Sequence, residues 1–326
     1  MHIFGGREAY MSCVRPAKVF ALACLSVALL TPSCEAPKER QKVIGVSLLT
    51  QGHVFYQELE AGLRDAAATE GFKLVVNYGE WDLAKHVSQL ENFIVQRVDA
   101  ILVSPCDSEG IGPTIVRANE ARIPVFTCDI AAHGGDVVSH IASDNVAGGR
   151  LAGEYLAKLL GGTGTVAIID QPETRSCIDR VAGFEETIKR YPEMPIVAKP
   201  TGHGVRDQAM RATEDLLQAH PEVNAIFGIN DDTALGALAA VEAANKQNSI
   251  VIIGYDATPE ARDTIMRGTA LKADVIQHPK NIGEETIKTI AQYFRGEQVP
   301  KIIPVEVGIV DKVSLEAEAS GTKKSP

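Results

Sequence analysis

The sequence predicts an α/β protein built from two Rossmann-like lobes. From Val43 onward, short apolar runs alternate with segments of helical periodicity, which is the pattern of a parallel sheet covered by helices. The alternation runs through one series and begins again after residue 144. A length of 326 residues and a hydrophobic content of 45% are sufficient for two buried cores.

The first series predicts four strands of one sheet. Its apolar runs are VIGVSLL, KLVVNY, DAILVSP and IPVFTCD, at residues 43–49, 73–78, 99–105 and 123–129. Between these runs, apolar residues recur at helical spacing around Leu59, Leu90 and Ile115. Strands that alternate with amphipathic helices indicate strand–helix–strand units, so this sheet should be parallel.

The second series repeats the pattern with five runs. They are GTVAIID, PIVAKPT, NAIFGIN, SIVIIGYD and ALKADVIQ, at residues 164–170, 195–201, 224–230, 249–256 and 270–277. Helices are predicted between them at about 176–190, 206–219, 232–244 and 259–267. The segment that joins the two series contains a helix opened by Asp144 and Asn145, whose early glycines permit close packing.

The C-terminal part lacks a strand–helix partner of its own. A helix near 280–294 and the extended segment KIIPVEVGIV, 301–310, should return to complete the first lobe and then the second. The predicted bounds are 43–143 plus 278–306 for the N-terminal lobe and 144–277 plus 307–312 for the C-terminal lobe, with a disordered tail at 313–326. Repeated crossing between lobes predicts a hinge and an interlobe cleft.

The N-terminus has the pattern of an export signal. Arg15 and Lys18 precede the apolar run VFALACLSVALL, which is followed by small residues and Cys34. This run is too short to cross a bilayer core of about 30 Å. A cysteine after small residues resembles the lipobox of bacterial lipoproteins, which implies a signal peptide at 1–34, lipid attachment at Cys34 and a tether at 35–42. The expected location is the periplasm or cell envelope, with the protein anchored to a membrane by its lipid.

Composition and spacing exclude several kinds of partner. The formal net charge of −10 comes without a long Lys/Arg run, so no nucleic acid is expected as a partner. The motif GGTGT precedes a strand, whereas a dinucleotide fingerprint must follow one, and no phosphate loop occurs. Cys106, Cys128 and Cys177 lack metal-type spacing, so neither a metal nor a cofactor is expected. Cys106 and Cys128 follow neighbouring strands, and both a disulfide and two buried thiols remain open.

Polar and aromatic side chains stand where the predicted strands end. In open α/β sheets, ligands bind beyond the carboxyl ends of the strands. The side chains at these ends are Phe55, Tyr56, Asp129, Asn230, Asp256 and Gln277. Carboxylates and amides can each engage adjacent hydroxyl groups, and aromatic faces can cover a ring. The set predicts a neutral polyhydroxylated ligand rather than a phosphate.

Several motifs, in order along the chain, resemble those of periplasmic sugar-binding proteins of the ribose-binding type. They are VVSHIASDNVAGG, RVAGF, AHPEVNAIFGINDDTALGAL, VIIGYDATPE and VIQHPKNIG, and the resemblance extends from about Val43 to Val310. It implies the type I periplasmic-binding fold, in which a three-segment hinge joins two lobes. It also implies a monomeric, non-enzymatic receptor that traps a pentose, hexose or deoxysugar and delivers it to an inner-membrane ABC permease.

The resemblance assigns roles to individual residues. Phe55 and Tyr56 match the aromatic pair that sandwiches the sugar ring, and Asp129 matches the acid that binds hydroxyls from the first lobe. The second lobe and hinge supply the remaining matches, namely Arg180, Asn230, Asp256 and Gln277. His53 stands where the family has an asparagine and is included as a ligand-binding candidate.

Three departures argue against ribose as the ligand. Ile130 stands in place of an arginine, and Leu49 in place of a small hydroxyl residue. Gly204 aligns with an aromatic residue, for which His203 is a candidate substitute. A less polar first-lobe wall favours a sugar with fewer hydroxyl groups, or one turned differently in the cleft.

Each candidate also has a purely structural interpretation. Phe55 and Tyr56 would be core residues, but adjacent side chains on a helix are not expected to face the same core. Asp129 and Asp256 would be turn or cap residues. Trp81 either lines the cleft rim or seals its lobe. In FGINDDTALGAL, Asp231 or Asp232 is expected to cap the helix, while Asn230 faces the ligand.

Three other functions compete with transport. A sensing receptor for chemotaxis or two-component signalling would use the same binding mode. A repressor of the same superfamily would need an N-terminal helix-turn-helix, which the apolar signal replaces. A glycosidase would use Asp129 and Asp256 as paired carboxylates, although hydroxyl binding explains the same two residues.

Overall fold

The computed structural model describes residues 40–321. The predicted signal peptide, the lipid-attachment residue Cys34 and most of the predicted tether lie outside the described residues, as do 322–326. Among residues 40–321, none of the helices is both long enough and apolar enough to cross a membrane.

Twelve strands and ten helices alternate along the described chain. The strands are β1 Val43–Leu48, β2 Lys73–Tyr78, β3 Ala100–Val103, β4 Val125–Cys128, β5 Val137–Ser143, β6 Val166–Ile169, β7 Ile196–Ala198, β8 Ala225–Gly228, β9 Val251–Asp256, β10 Leu271–Ile276, β11 Ile302–Val305 and β12 Gly308–Asp311. The helices are α1 Val54–Glu70, α2 Leu83–Gln96, α3 Gly112–Glu120, α4 Asn145–Leu160, α5 Arg175–Ile188, α6 Arg206–Ala219, α7 Asp231–Ala243, α8 Pro259–Met266, α9 Pro279–Phe294 and α10 Lys312–Ala319.

The strands form two six-stranded sheets of the same topology. The first sheet has the order β11-β5-β4-β3-β1-β2, and all its pairs are parallel. The second sheet has the order β12-β10-β9-β8-β6-β7 and is parallel except for the edge pair β10–β12. Helices cover both faces of each sheet, so strands such as β3 and β8 are buried along their whole length. The predicted α/β fold with two Rossmann-like lobes is confirmed.

The chain passes between the two sheets three times. It leaves the first sheet after β5 and returns to it with α9 and β11, which follow β10. It crosses again between β11 and β12, which belong to different sheets although two residues separate them. Three segments of the chain therefore connect the lobes, as in a hinge.

Two helices of the second lobe cross at glycines, as the sequence predicts for α4. A Cβ at Gly149 would lie 2.0 Å from the carbonyl oxygen of Arg180, and one at Gly183 would lie 2.1 Å from that of Val146. No larger side chain fits such a contact, so the backbones of α4 and α5 touch directly. This contact fixes the position of α5, which carries Arg180.

The predicted tail at 313–326 is wrong for its first part, because α10 is a helix. The Asp311 carboxylate accepts a hydrogen bond of 2.8 Å from the Ser314 N–H, and the Ser314 hydroxyl accepts one from the Asp311 N–H. Leu315 is buried against the second lobe, and Arg262 pairs with Glu318 at 3.0 Å. The polar composition of this segment suggested a tail, but it contains a complete capping box, Asp311 with Ser314, and one buried apolar residue, Leu315.

The structure decides between a disulfide and two thiols at Cys106 and Cys128. Cys106, Cys128 and Cys177 are free thiols in the structure, and Cys128 and Cys177 are buried. Burial raises the pKa of Cys106 to about 11, so this thiol is protonated at neutral pH.

Candidate functional site

A cleft between the two lobes collects the predicted residues. About 390 Å³ of empty space, including space open to solvent, lies between its walls. The first lobe contributes Leu49, His53, Phe55, Tyr56, Trp81, Asp129 and Ile130, and the second contributes Gln171, Thr174, Ser176, Cys177, Arg180, Asn230, Asp256 and Gln277. All eight residues that the sequence singles out for ligand binding line this cleft, while their contact with a ligand stays a prediction.

The first turn of α1 forms the aromatic wall. His53 is the N-cap, and its Nδ1 accepts a hydrogen bond of 3.2 Å from the Phe55 N–H. The rings of Phe55 and Tyr56 meet edge to face with centroids 5.2 Å apart, and each is 5% exposed. The expectation that two adjacent side chains cannot share one core is wrong here, because both belong to the same core cluster. Because the first turn of α1 borders the cleft, the rings of Phe55 and Tyr56 pack in the core and also line the site.

Asp129 follows β4 and is fixed by Tyr56. The Tyr56 hydroxyl donates a hydrogen bond of 2.5 Å to Asp129 Oδ2. Within residues 40–321, Oδ1 accepts no hydrogen bond, which leaves it open to a ligand hydroxyl. Burial raises the pKa of Asp129 to about 6, although the positive charge of Arg180 opposes the rise.

Arg180 is a buried cation at the centre of the second-lobe wall. Its Nε donates to Asn145 Oδ1 and its Nη1 to the Ile229 carbonyl oxygen, both at 2.8 Å. Its guanidinium carbon lies 3.9 Å from the centroid of the Tyr255 ring, a cation–π contact. Nη1 is also 3.9 Å from Asp256 Oδ1. These contacts give the guanidinium a single orientation.

Asp256 ends β9 and is contacted from both lobes. Gln277 Nε2 donates to its Oδ1 at 2.6 Å, while His53 Nε2 from the first lobe is 3.7 Å from its Oδ2. Burial raises the pKa of Asp256, and the positive charges of Arg180 and His53 oppose the rise. The carboxylate therefore sits where the lobes meet, with acceptor capacity left over for a ligand.

Asn230 corrects the predicted helix start. It is the N-cap of α7: its Oδ1 accepts hydrogen bonds from the N–H, at 2.8 Å, and from the hydroxyl of Thr233. The expectation that Asp231 or Asp232 caps the helix is wrong. Asn230, which follows β8, already accepts the hydrogen bond from the Thr233 N–H that a cap residue has to satisfy. Its Nδ2 donates to the Gly204 carbonyl oxygen at 3.1 Å. One amide hydrogen remains for a ligand, so Asn230 both caps the helix and lines the cleft.

Four cleft residues were missed by sequence reasoning. The sequence after β6 brings all four to the cleft, namely Gln171, Thr174, Ser176 and Cys177. The strand-end rule applied to β6 would have found at least Gln171. A Cβ at Gly204 would lie 2.4 Å from Gln171 Oε1, so this amide fills the space beside Gly204.

Two further expectations are resolved by position. His203 does not replace an aromatic residue in the cleft, because it lies outside the cleft wall and its Nδ1 is 3.1 Å from Glu173 Oε1. Trp81 lines the cleft and is 36% exposed, which is the rim position rather than the seal of a core.

Two buried polar atoms in the cleft wall have unused hydrogen-bonding capacity. Gln277 Oε1 has no hydrogen-bond partner among residues 40–321, and the Thr174 hydroxyl has only the weakly bonding Cys177 thiol beside it. A buried polar atom without a partner costs about 1–3 kcal/mol. Hydroxyl groups of a ligand would satisfy both.

The two lobes contact each other beside the cleft. Ser108, after β3, accepts a hydrogen bond of 3.0 Å from the N–H of Arg175, the first residue of α5. The Ser108 N–H donates to the Glu173 carbonyl oxygen at 3.2 Å. Thr174, the N-cap of α5, makes no side-chain cap bond. A first-lobe serine thus caps a second-lobe helix.

Comparison with known proteins identifies relatives over most of the chain. A family model described as a periplasmic binding protein domain matches residues 44–298. The ribose import binding protein of Haemophilus influenzae is 34% identical, over 89% of this chain and 98% of its own. The ribose import binding protein of Salmonella typhimurium is 32% identical, over 88% of this chain and 97% of its own.

A solved structure has the same fold. It is an ABC transporter solute binding protein from Bacillus halodurans with bound myo-inositol, 30% identical in sequence. The alignment covers 86% of this chain and 98% of that one, with a TM-score of 0.79.

Proposed function

The chain belongs to the periplasmic binding protein family, and from this membership we propose that it captures a monosaccharide or related polyol in the interlobe cleft and delivers it to an ABC permease. Membership of this family places the protein outside the cytoplasm. The further proposal of lipid attachment at Cys34 rests on the basic, apolar and small-residue segments before it. We also propose that the receptor is a monomer.

One observation carries the proposal: open hydrogen-bonding positions converge on the cleft from both lobes. They comprise acceptors on Asp129, Asp256 and Gln277 and a donor on Asn230. Phe55 and Tyr56 supply the apolar faces that cover the C–H surface of a ring. Relatives named for ribose and myo-inositol match this chemistry, because both molecules present several hydroxyl groups on a ring.

The surroundings of the Asp129 and Asp256 carboxylates are better explained by a receptor than by a glycosidase. Asp129, with its raised pKa of about 6, would suit an acid catalyst. Burial is the main cause of the raised pKa of Asp129, and Tyr56 already occupies one of its oxygens. Asp256 is likewise held by Gln277 and Arg180. We therefore propose a non-enzymatic role, and release of nitrophenol from nitrophenyl glycosides would contradict it.

The first-lobe wall narrows the proposed ligand. Leu49 and Ile130 flank Asp129 in the cleft lining, and each is 3% exposed. A hydroxyl group pressed against these side chains would lose its water without gaining a partner, at a cost of about 1–3 kcal/mol. We propose a ligand that places one hydroxyl group on Asp129 and is otherwise apolar along its first-lobe edge, such as a deoxysugar, with its remaining hydroxyl groups turned towards the second lobe.

A sugar panel tests both levels of this proposal. At a hundredfold excess over Kd, a ligand that binds only the folded protein stabilises it by about 2.7 kcal/mol, which should raise the melting temperature by roughly 5 to 10 °C. We expect the largest shift from a deoxysugar or a polyol in a panel of pentoses, hexoses, deoxysugars and polyols. The measurement is thermal unfolding of the protein with each compound.

Two outcomes of the panel have different meanings. If no sugar or polyol raises the melting temperature, the proposed function is wrong. If ribose gives the largest shift, the receptor stands and the apolar-edge proposal fails. An Asp129→Leu variant is the control, since a shift that survives it would arise outside the cleft.

The contact at Ser108 predicts a smaller effect on affinity. Ser108→Ala removes the cap of α5 only when the lobes are together, so ligand affinity should fall by about three- to tenfold for a loss near 1 kcal/mol. Isothermal titration with a sugar from the panel measures the change. Ser314→Ala removes the hydroxyl that accepts from the Asp311 N–H at the start of α10, outside the cleft, so it should lower stability but leave affinity unchanged. Unchanged affinity in Ser108→Ala would show that the contact does not support closure.

A further inference from the structure

Two buried carboxyl groups lie beneath the cleft floor. Asp231 is the first residue of α7 and is 2% exposed, while Asp274 lies in β10 and is fully buried. The two side chains accept hydrogen bonds from successive N–H groups of one turn, which brings their carboxyl groups close together. Neither lines the cleft, so ligand binding does not explain them.

Each carboxyl group binds the turn that follows Asp256. Asp274 Oδ1 accepts a hydrogen bond of 3.0 Å from the Ala257 N–H, and Asp231 Oδ2 accepts one of 2.7 Å from the Thr258 N–H. The other two oxygens, Asp231 Oδ1 and Asp274 Oδ2, are buried and have no separate donor among residues 40–321. A proton shared between them would give both oxygens a hydrogen bond.

The turn itself has an unfavourable backbone. Asp256 has a φ of 120° and Ala257 a φ of 54°, values that residues with a side chain rarely adopt. Such a conformation persists only where surrounding contacts impose it. The bonds from Asp231 and Asp274 are two of those contacts, and Arg262 Nε adds a third by donating to the Ala257 carbonyl oxygen at 2.9 Å.

The charges around the pair do not neutralise it. Asp256 adds a third negative charge nearby, while Arg180 and the His53 ring face Asp256 rather than the pair. Arg262 binds the turn and pairs with Glu318. Two buried carboxylates that touch without a cation cannot both stay ionised, and one proton between them turns repulsion into a hydrogen bond. Burial accordingly raises the pKa of Asp231 to about 7 and that of Asp274 well above its ordinary value.

We propose that Asp231 and Asp274 share one proton at neutral pH and that this carboxyl pair positions Asp256 for the ligand. Loss of the proton would leave two adjacent charges, which would repel each other and Asp256 and loosen both bonds to the turn. The shared proton is independent of the proposed function, whereas the positioning of Asp256 rests on it.

The variant Asp274→Asn tests for the shared proton, because it removes the titrating group while keeping the shape of the side chain. The asparagine oxygen can still accept from Ala257, and its amide N–H can replace the shared proton permanently. In the wild type, the folded state keeps a proton that the unfolded chain releases above about pH 4. The unfolding equilibrium constant should therefore rise with pH, relative to the variant, by about tenfold per unit between about pH 5 and pH 7. Denaturant unfolding across this range measures the difference, and other titrating groups cancel because both proteins contain them.

Infrared spectroscopy at neutral pH observes the proton directly. The wild type should show the carbonyl stretch of a protonated carboxyl group, shifted in deuterium oxide, and Asp274→Asn should lack it. Equal pH slopes together with identical spectra would overturn the shared proton.

Ligand titration tests the positioning role. The probe is the sugar that gives the largest melting shift with the wild type. Asp274→Asn should keep its affinity within about threefold, whereas Asp274→Val, which removes the acceptor for Ala257, should lower affinity by about tenfold or more. Equal affinity in all three proteins, or equal losses in both variants, would refute positioning. If no sugar binds the wild type, the proposed function fails, and the pH slopes and spectra still decide the shared proton.

Discussion

Replacing Arg180 with methionine should destabilise the folded protein by about 3–5 kcal/mol and abolish ligand binding. Arg180 is 4% exposed, so methionine preserves most of its volume while removing the charge. The substitution removes the side-chain donor to the Ile229 carbonyl oxygen, one of the two donors to Asn145 Oδ1 and the positive charge beside Asp256. Breaking a buried ion pair from one side is costly because the remaining charge has neither a partner nor water.

The loss should depend on pH in a defined direction. The positive charge of Arg180 lowers the pKa values of Asp129 and Asp256, which burial raises. Without it both pKa values rise further, so the folded variant takes up protons at a higher pH than the wild type does. A raised carboxyl pKa favours the folded state at low pH and disfavours it as pH increases. The stability deficit of Arg180→Met should therefore be smaller at pH 5 than at pH 8.

Urea unfolding at both pH values measures this deficit. Arg150→Met is a matched control, because Arg150 lies on the neighbouring helix α4 and pairs with Glu186 on the protein surface. Its removal should leave stability nearly unchanged and independent of pH. A deficit below about 1 kcal/mol in Arg180→Met would show that the guanidinium does not balance the buried carboxylates.

Sequence periodicity sufficed for the fold because each element is consistent with its surroundings. The apolar runs form strands, of which the central ones in each sheet are buried. Segments with apolar residues at helical spacing form helices whose ends differ from the predicted ones by one or two residues, as for α5 and α7. The strand-end rule also located much of the site, since parallel strands deliver Asp129, Asn230, Asp256 and Gln277 to adjoining edges. These inferences need only local pattern and topology.

The remainder depends on packing between distant segments. The closeness of Asp231 and Asp274 arises because α7 and β10 meet at the turn after β9, which no local pattern reveals. Asn230 shows a second limit, because a cap residue and a cleft residue have the same sequence signature. The helix α10 shows a third limit. Its polar composition is that of a tail, but burial of Leu315 and the ion pair between Arg262 and Glu318 hold it against the lobe.

The balance of charge in the cleft favours an uncharged ligand. Arg180 gives two of its five N–H donors to Asn145 and Ile229, and its positive charge is opposed by the carboxylates of Asp129 and Asp256. Asp129 and Asp256 would repel an anionic ligand, while neutral hydroxyl groups can donate to both. This distinguishes a sugar or polyol from a sugar phosphate or a uronic acid.

Asp256→Asn should weaken ligand binding by about 30- to 1000-fold, which corresponds to roughly 2–4 kcal/mol. Hydrogen bonds to an ionised acceptor are the strong ones, and Asp256 lies where both lobes close on the ligand. Asparagine has nearly the same shape and can still bind Gln277, so the loss reports the charge rather than the packing. Asp232→Asn is the matched control: this acid is also near His53, at 3.8 Å, but it pairs with Arg206 and does not line the cleft. Its affinity should change by less than about threefold.

The same substitution should not destabilise the ligand-free protein. Because burial raises the pKa of Asp256, its ionised form is less favourable in the folded protein than in water. Removing that charge should leave the free energy of unfolding unchanged or increase it, because Arg180 keeps the opposing charge of Asp129 and its hydrogen bonds to Asn145 and Ile229. A residue that served only the fold would show the opposite, since its replacement would lower stability and affinity together. Isothermal titration and urea unfolding of the same variant therefore separate the two roles, and a parallel loss of both quantities would show that Asp256 maintains the fold instead of holding a ligand.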